Sequence, residues 1–155
     1  MCPPVSAPRL TDADYRRLAE LRFRLRSFLA FSEQEARAAG LNPQQHQLLL
    51  AVRASAPEAP TVGELAERLV LRHHSTVELV DRLEKKRFVR RTRESGDRRV
   101  ASVHLTARGA QILARLSVVH RDELRTAGPD LAAALLAVIG RNAAPADKRA
   151  KRGAA

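Results

Sequence analysis

The spacing of apolar positions divides the chain into helical and strand-like stretches. Leu18, Leu21, Leu25 and Phe28 keep to one helical face, continued by Leu29 and Ala36, and predict a long first helix. Thr11 can cap it, Asp12 and Asp14 suit its first turn, and Gly40 can end it. Asn42 as cap, Pro43 at the first position and Gln45 three after the cap start a second helix, with Leu48, Leu49 and Val52 inward. The loop 55–60, SAPEAP, leads to Thr61, which stands in capping-box spacing to Glu64. Val62, Leu65, Ala66 and Leu69 then form one buried face. Thr76, Leu79, Val80 and Leu83 repeat the pattern after a short join at 70–73. Two such helices fit a helix-turn-helix.

Residues 88–93 and 100–105 read as strands around a turn at 94–97, with Ala101, Val103 and Leu105 on one face opposite Ser102 and His104. Thr106 can cap a long helix with Ile112, Leu113, Leu116 and Val119 inward. Gly128-Pro129-Asp130 is expected to break it before a last apolar helix at 131–139. Around the hairpin, Lys85, Lys86, Arg87, Arg90, Arg91, Arg93, Arg98 and Arg99 face only Glu94 and Asp97. A hairpin so charged can bury little, and its use is to meet phosphates. The competing reading is a solvated charge run.

Length and composition agree with one domain. The 155 residues hold 45% hydrophobic and 3% aromatic side chains, so Leu, Val and Ala fill the interior. Lys and Arg number 28 against 17 acidic residues, a formal net charge of +11, which favours a polyanion as partner and nucleic acid above all. The single cysteine, Cys2, excludes an intramolecular disulfide and a cysteine-rich metal site. MCPPVSAPRL has no charged segment followed by an apolar core, and no apolar run is long enough to span a bilayer. A cytoplasmic protein without membrane contact is expected.

The stretch STVELVDRLEKKRFVRR, the motif Asp97-Arg98-Arg99 and the VHLTARG that opens the next helix together resemble the MarR family of winged-helix transcription regulators. The resemblance extends over nearly the whole chain and leaves out only the two tails. It implies a mainly α fold with a small β-hairpin wing, in which a winged helix-turn-helix joins a helical dimerisation region. On that reading residues 1–10 are a flexible tail, 11–40 and 106–142 the dimerisation region, 43–105 the DNA-binding lobe, and 143–155 a basic flexible tail. The family usually has glycine where this chain has Arg87. Arg87 must therefore take a left-handed cap with strain or end the helix differently.

The resemblance also implies a homodimer on double-stranded DNA, with two recognition helices in successive major grooves. His74, Ser75, Val77 and Glu78 then occupy the half of the recognition face where base contacts are expected. His73 either joins them or only closes the turn. Ser75 can bond to a base or phosphate, Val77 can pack on a thymine methyl, and Glu78 can accept from a cytosine amino group. Glu78 can equally orient Arg82, which otherwise holds the DNA backbone. Arg98 or Arg99 would enter the minor groove, Asp97 would organise the wing by pairing with an arginine, and Arg91 and Arg93 would bind phosphates.

By the same resemblance the protein is a repressor, released by a phenolic or other aromatic ligand if an effector binds. Tyr15, Phe23, Phe28, Phe31 and His46 are the candidate pocket residues, although core and interface packing accounts for each more simply. No phosphate loop, nucleophile elbow or paired metal-binding histidines suggest an enzyme, and neither cofactor nor metal is expected. His46, His104 and His120 could meet only through the tertiary fold. The alternative function is a non-specific architectural or RNA-associated basic protein. A protein-interaction module that has lost DNA binding is disfavoured by the intact arginines.

Overall fold

The computed structural model describes residues 10–93 and 101–140. The elements in order are α1 (Asp12–Ala38), α2 (Pro43–Ala54), α3 (Val62–Leu69), α4 (His73–Lys85), β1 (Val89–Arg93), β2 (Ala101–Leu105) and α5 (Ala107–Ile139). The fold is a mostly helical winged helix. Two compact units divide the chain. One is the lobe 30–122, and the other is a terminal unit of 1–29 with 123–155.

In the lobe, the helix starts follow from local chemistry. The Asn42 side chain accepts from the Gln45 N–H at 2.8 Å, and the Gln45 side chain accepts from the Asn42 N–H at 3.1 Å. Thr61 and Glu64 make the same reciprocal pair at 3.2 and 2.7 Å. Leu48, Leu49, Leu65, Val80, Leu83 and Val103 are fully buried and join α2, α3, α4 and β2 in one core. The strands pair antiparallel with Val89 opposite Leu105 and Arg93 opposite Ala101. β2 also meets the entry to α3, where the Val103 N–H donates to the Pro60 carbonyl at 2.8 Å.

Three helices of the lobe end in one way. Gly40, Val70 and Arg87 stand at φ +75°, +54° and +60°. The residue after each, Leu41, Leu71 and Phe88, donates back to Ala36, Ala66 and Leu83 at 2.9 Å. This is the Schellman arrangement, with an apolar residue turned inward behind the left-handed one. Only the first uses glycine. Arg87 thus accepts the strained cap, and Val70, a β-branched residue, does so with its side chain 90% exposed.

Four expectations need correction. α5 runs unbroken through Gly128, Pro129 and Asp130. Pro129 removes one hydrogen bond, a local loss of about 3 kcal/mol in a helix interior, and the helix resumes beyond it with Ala134 buried. Val119 faces solvent at 39% exposure. The hairpin is charged but its base is not empty, since Phe88, Val89 and Val103 are buried. His73 is the first residue of α4, which begins after the cap position Arg72, so it does not belong to the turn.

Thr106 caps α5 by accepting from the Gly109 N–H at 3.0 Å. A Cβ on Gly109 would lie 1.9 Å from the Phe88 carbonyl oxygen, a backbone atom that cannot swing aside. Gly109→Ala should therefore destabilise the protein by about 1–3 kcal/mol in urea unfolding. Val70→Gly should act oppositely and stabilise by about 1 kcal/mol, because it relieves left-handed strain and gives up a side chain that covers little.

Candidate nucleic-acid interface

The helix-turn-helix presents one face of α4 to solvent. His73, His74, Glu78 and Arg82 are exposed, Ser75 and Val77 half-buried, and Thr76 faces the core. Glu78 and Arg82 form an ion pair at 3.5 Å with both side chains more than 60% exposed, so each keeps most of its freedom. The face therefore offers hydroxyl, imidazole, methyl and carboxylate groups within two helical turns.

The basic run after α4 separates by role. Lys85, Arg87 and Arg90 are exposed. Lys86 turns back and donates from Nζ to the Gly40 carbonyl at 2.8 Å and to Gln45 Oε1 at 3.4 Å. Arg91 corrects the expectation of a phosphate contact. Its Nη1 lies 2.5 Å from Asp81 Oδ1 and 2.9 Å from Glu84 Oε2, while Nη2 donates to the Val77 carbonyl at 3.2 Å. Its backbone N–H donates to Glu84 Oε1 at 2.9 Å. A guanidinium so engaged has little left for a phosphate. Arg93 ends the described part of β1, and Asp97, Arg98 and Arg99 lie outside the described residues. No signal in the sequence marked Asp81 and Glu84 as partners of Arg91. Their spacing on α4 reads only as a polar face.

The expected effector residues fall in different units. Tyr15 and Phe23, exposed at 59% and 56%, and half-buried Phe28 belong to the terminal unit. Phe31 and His46 belong to the lobe, where His120 joins them. The His46 and His120 rings are 4.6 Å apart, and Phe31 meets His120 edge-on at 5.7 Å. His120 bonds to the Leu116 carbonyl at 2.7 Å and to Ser32 Oγ at 2.8 Å. His46 is 3% exposed, and among the described residues its Nδ1 has no hydrogen-bond partner. Among the described residues no group of three or more His, Cys, Asp or Glu could hold a metal, and no helix is long and apolar enough to cross a membrane.

A family model described as the MarR family matches residues 39–100, which hold α2, both helices of the helix-turn-helix and β1. Over this segment the chain is similar to the MarR family. A Bacillus subtilis protein named as an uncharacterized HTH-type transcriptional regulator, YsmB, is 34% identical over 65 residues. The match spans 42% of this chain and 44% of that relative, less than half of its length. Among solved structures, AbsC, a MarR family transcriptional regulator from Streptomyces coelicolor, superposes with a TM-score of 0.70 at 21% identity, over 81% of this chain and 84% of its own. A variant of S. aureus MepR bound to an oligodeoxyribonucleotide superposes at 0.62 with 19% identity, over 76% and 82% of the two chains. At these identities the likeness is one of fold. It reaches well past the matched segment.

The buried imidazole makes the lobe sensitive to acid. Burial first, and then the neighbouring His120, hold the His46 pKa below its ordinary 6.5. The unfolded chain therefore takes up a proton that the folded chain refuses, and stability falls as pH drops below about 6.5. Hydrogen bonds from Thr61 and Thr11 lower the Glu64 and Asp14 pKa values from 4.5 and 3.8, so the stability these carboxylates lend is lost only at lower pH. The urea midpoint should fall between pH 7.5 and 5.5, and His46→Leu should flatten most of that fall.

Proposed function

We propose that the chain is a sequence-specific, homodimeric DNA-binding transcriptional regulator of the MarR family, acting in the cytoplasm as a repressor. The observation that carries this reading is the exposed face of α4, held beside the β1–β2 hairpin in a winged-helix lobe. His73, His74, Ser75, Val77 and Glu78 read base edges in the major groove, and Arg82 steadies the DNA backbone. Arg93 meets phosphate, Arg98 or Arg99 enters the minor groove, and Asp97 orders the wing. The oligonucleotide bound to the MepR variant supports DNA as the ligand class.

Dimerisation is assigned to 11–40 with 106–142. In the terminal unit, Leu18, Leu25, Leu29, Leu135 and Leu136 are 38% to 53% exposed, an apolar surface that a second copy would cover. Release by a small aromatic ligand completes the reading. It rests on Phe31 and His46 alone, which meet at His120 in the lobe. The second reading is an architectural protein that binds polyanions without choosing sequence, and the net charge of +11 favours it as much as it favours the first.

Fluorescence anisotropy separates the two. The protein is titrated with the duplex upstream of its own gene and with a scrambled duplex, each over a salt series. A regulator should prefer the upstream duplex by about a hundredfold or more at physiological salt. Equal affinities that weaken together as salt rises would instead mark the architectural protein.

A further inference from the structure

Arg91 leaves β1 and reaches across to α4, where it holds three residues spread over nearly two helical turns. Val77 gives its carbonyl, Asp81 and Glu84 their carboxylates. From Val77 to Glu84 is about 10 Å along the helix, so one planar, forked cation ties the C-terminal part of the recognition helix to one strand. The Arg91 side chain is 24% exposed, and the residue's backbone N–H bonds to Glu84 as well. Both anchors are rooted in the core. Arg91 stands opposite the fully buried Val103 in the hairpin, and Val80 and Leu83 bury the other side of α4.

The charges point the same way. Asp81 and Glu84 lie on a helix that faces a polyanion in the proposed function, where carboxylates alone weaken binding. They make sense there as ligands of Arg91. Two carboxylates against one guanidinium still leave a local charge of −1, so the cluster cannot draw phosphate to itself.

Resting on the regulator reading, we propose that Arg91 is a positioning residue: it fixes the wing against the recognition helix and thereby sets sequence discrimination, without touching DNA.

The test uses the full chain as wild type, Arg91→Ala, the milder Arg91→Lys, and the double variant Asp81→Asn with Glu84→Gln, each checked for folding by urea unfolding. Anisotropy is read on the upstream and scrambled duplexes over a salt series. Removing two negative charges should tighten binding to the scrambled duplex. The brace nevertheless requires the ratio of upstream to scrambled affinity to fall by about tenfold or more, the scale of one lost base contact. Arg91→Ala should lower the same ratio and leave the salt slope on the scrambled duplex unchanged. Two results overturn the proposal. One is a salt slope shallower by about 0.9 in Arg91→Ala with the ratio kept, which would make Arg91 a phosphate contact. The other is an unchanged ratio in the carboxylate variant. If wild type does not discriminate, the regulator reading fails, and amide hydrogen exchange then decides the brace alone. Arg91→Lys should speed exchange in β1 and β2 and leave α2 as it was; equal rates would reject the brace.

Discussion

The backbone of Phe88 is the point on which the winged-helix lobe turns. Its N–H closes α4 by donating to Leu83 at 2.9 Å, and its carbonyl accepts from the Thr106 N–H at 3.0 Å and the Thr106 hydroxyl at 3.2 Å. The same hydroxyl accepts from Gly109 at the start of α5. The backbone of one residue therefore ties together the end of the recognition helix, both ends of the hairpin and the beginning of the next helix. The Phe88 ring itself is buried, with the Arg108 guanidinium over it at 5.1 Å. The absence of a side chain at Gly109 follows from this crowding, and VHLTARG is the sequence trace of the joint.

A second constraint is polar burial. Ser32, Gln45, His46 and Thr76 are all under 9% exposed. Three of them spend their polarity inside the lobe: Ser32 on His120, Gln45 on the α2 cap, Thr76 on the Arg72 carbonyl at 3.2 Å. His46 differs, since its Nδ1 is buried and unpaired among the described residues. A neutral ring tilted against a second imidazole suits that position, and a charged one does not.

Much of the fold was legible in the sequence, because local chemistry decides it. Two capping boxes, a glycine at a helix end and the apolar faces of α2, α3 and α4 are all written in neighbouring residues. The long-range features were not. The fork of Arg91 onto Asp81 and Glu84, the turn of Lys86 toward Gly40 and the meeting of His46 with His120 depend on separations that spacing cannot report. Pro129 misled for a different reason. A helix breaker signals a local loss, and a helix of 33 residues absorbs one missing bond. Val70 gave no warning at all, since a β-branched residue is among the least expected to hold a left-handed cap. For the recognition residues the sequence supplied the helix face, while the wing tip at 94–100 stays outside the described structure.

The contact of Lys86 has a further consequence. Lys86 is the C-cap of α4, and its ammonium also sits on the Gly40 carbonyl, in the turn just past the end of α1. One cation thus joins the end of α4 to the turn that follows α1. Gln45 adds a link to the first turn of α2 at 3.4 Å. A shift of the turn after α1 therefore either carries the end of the recognition helix with it or breaks the Lys86 bond.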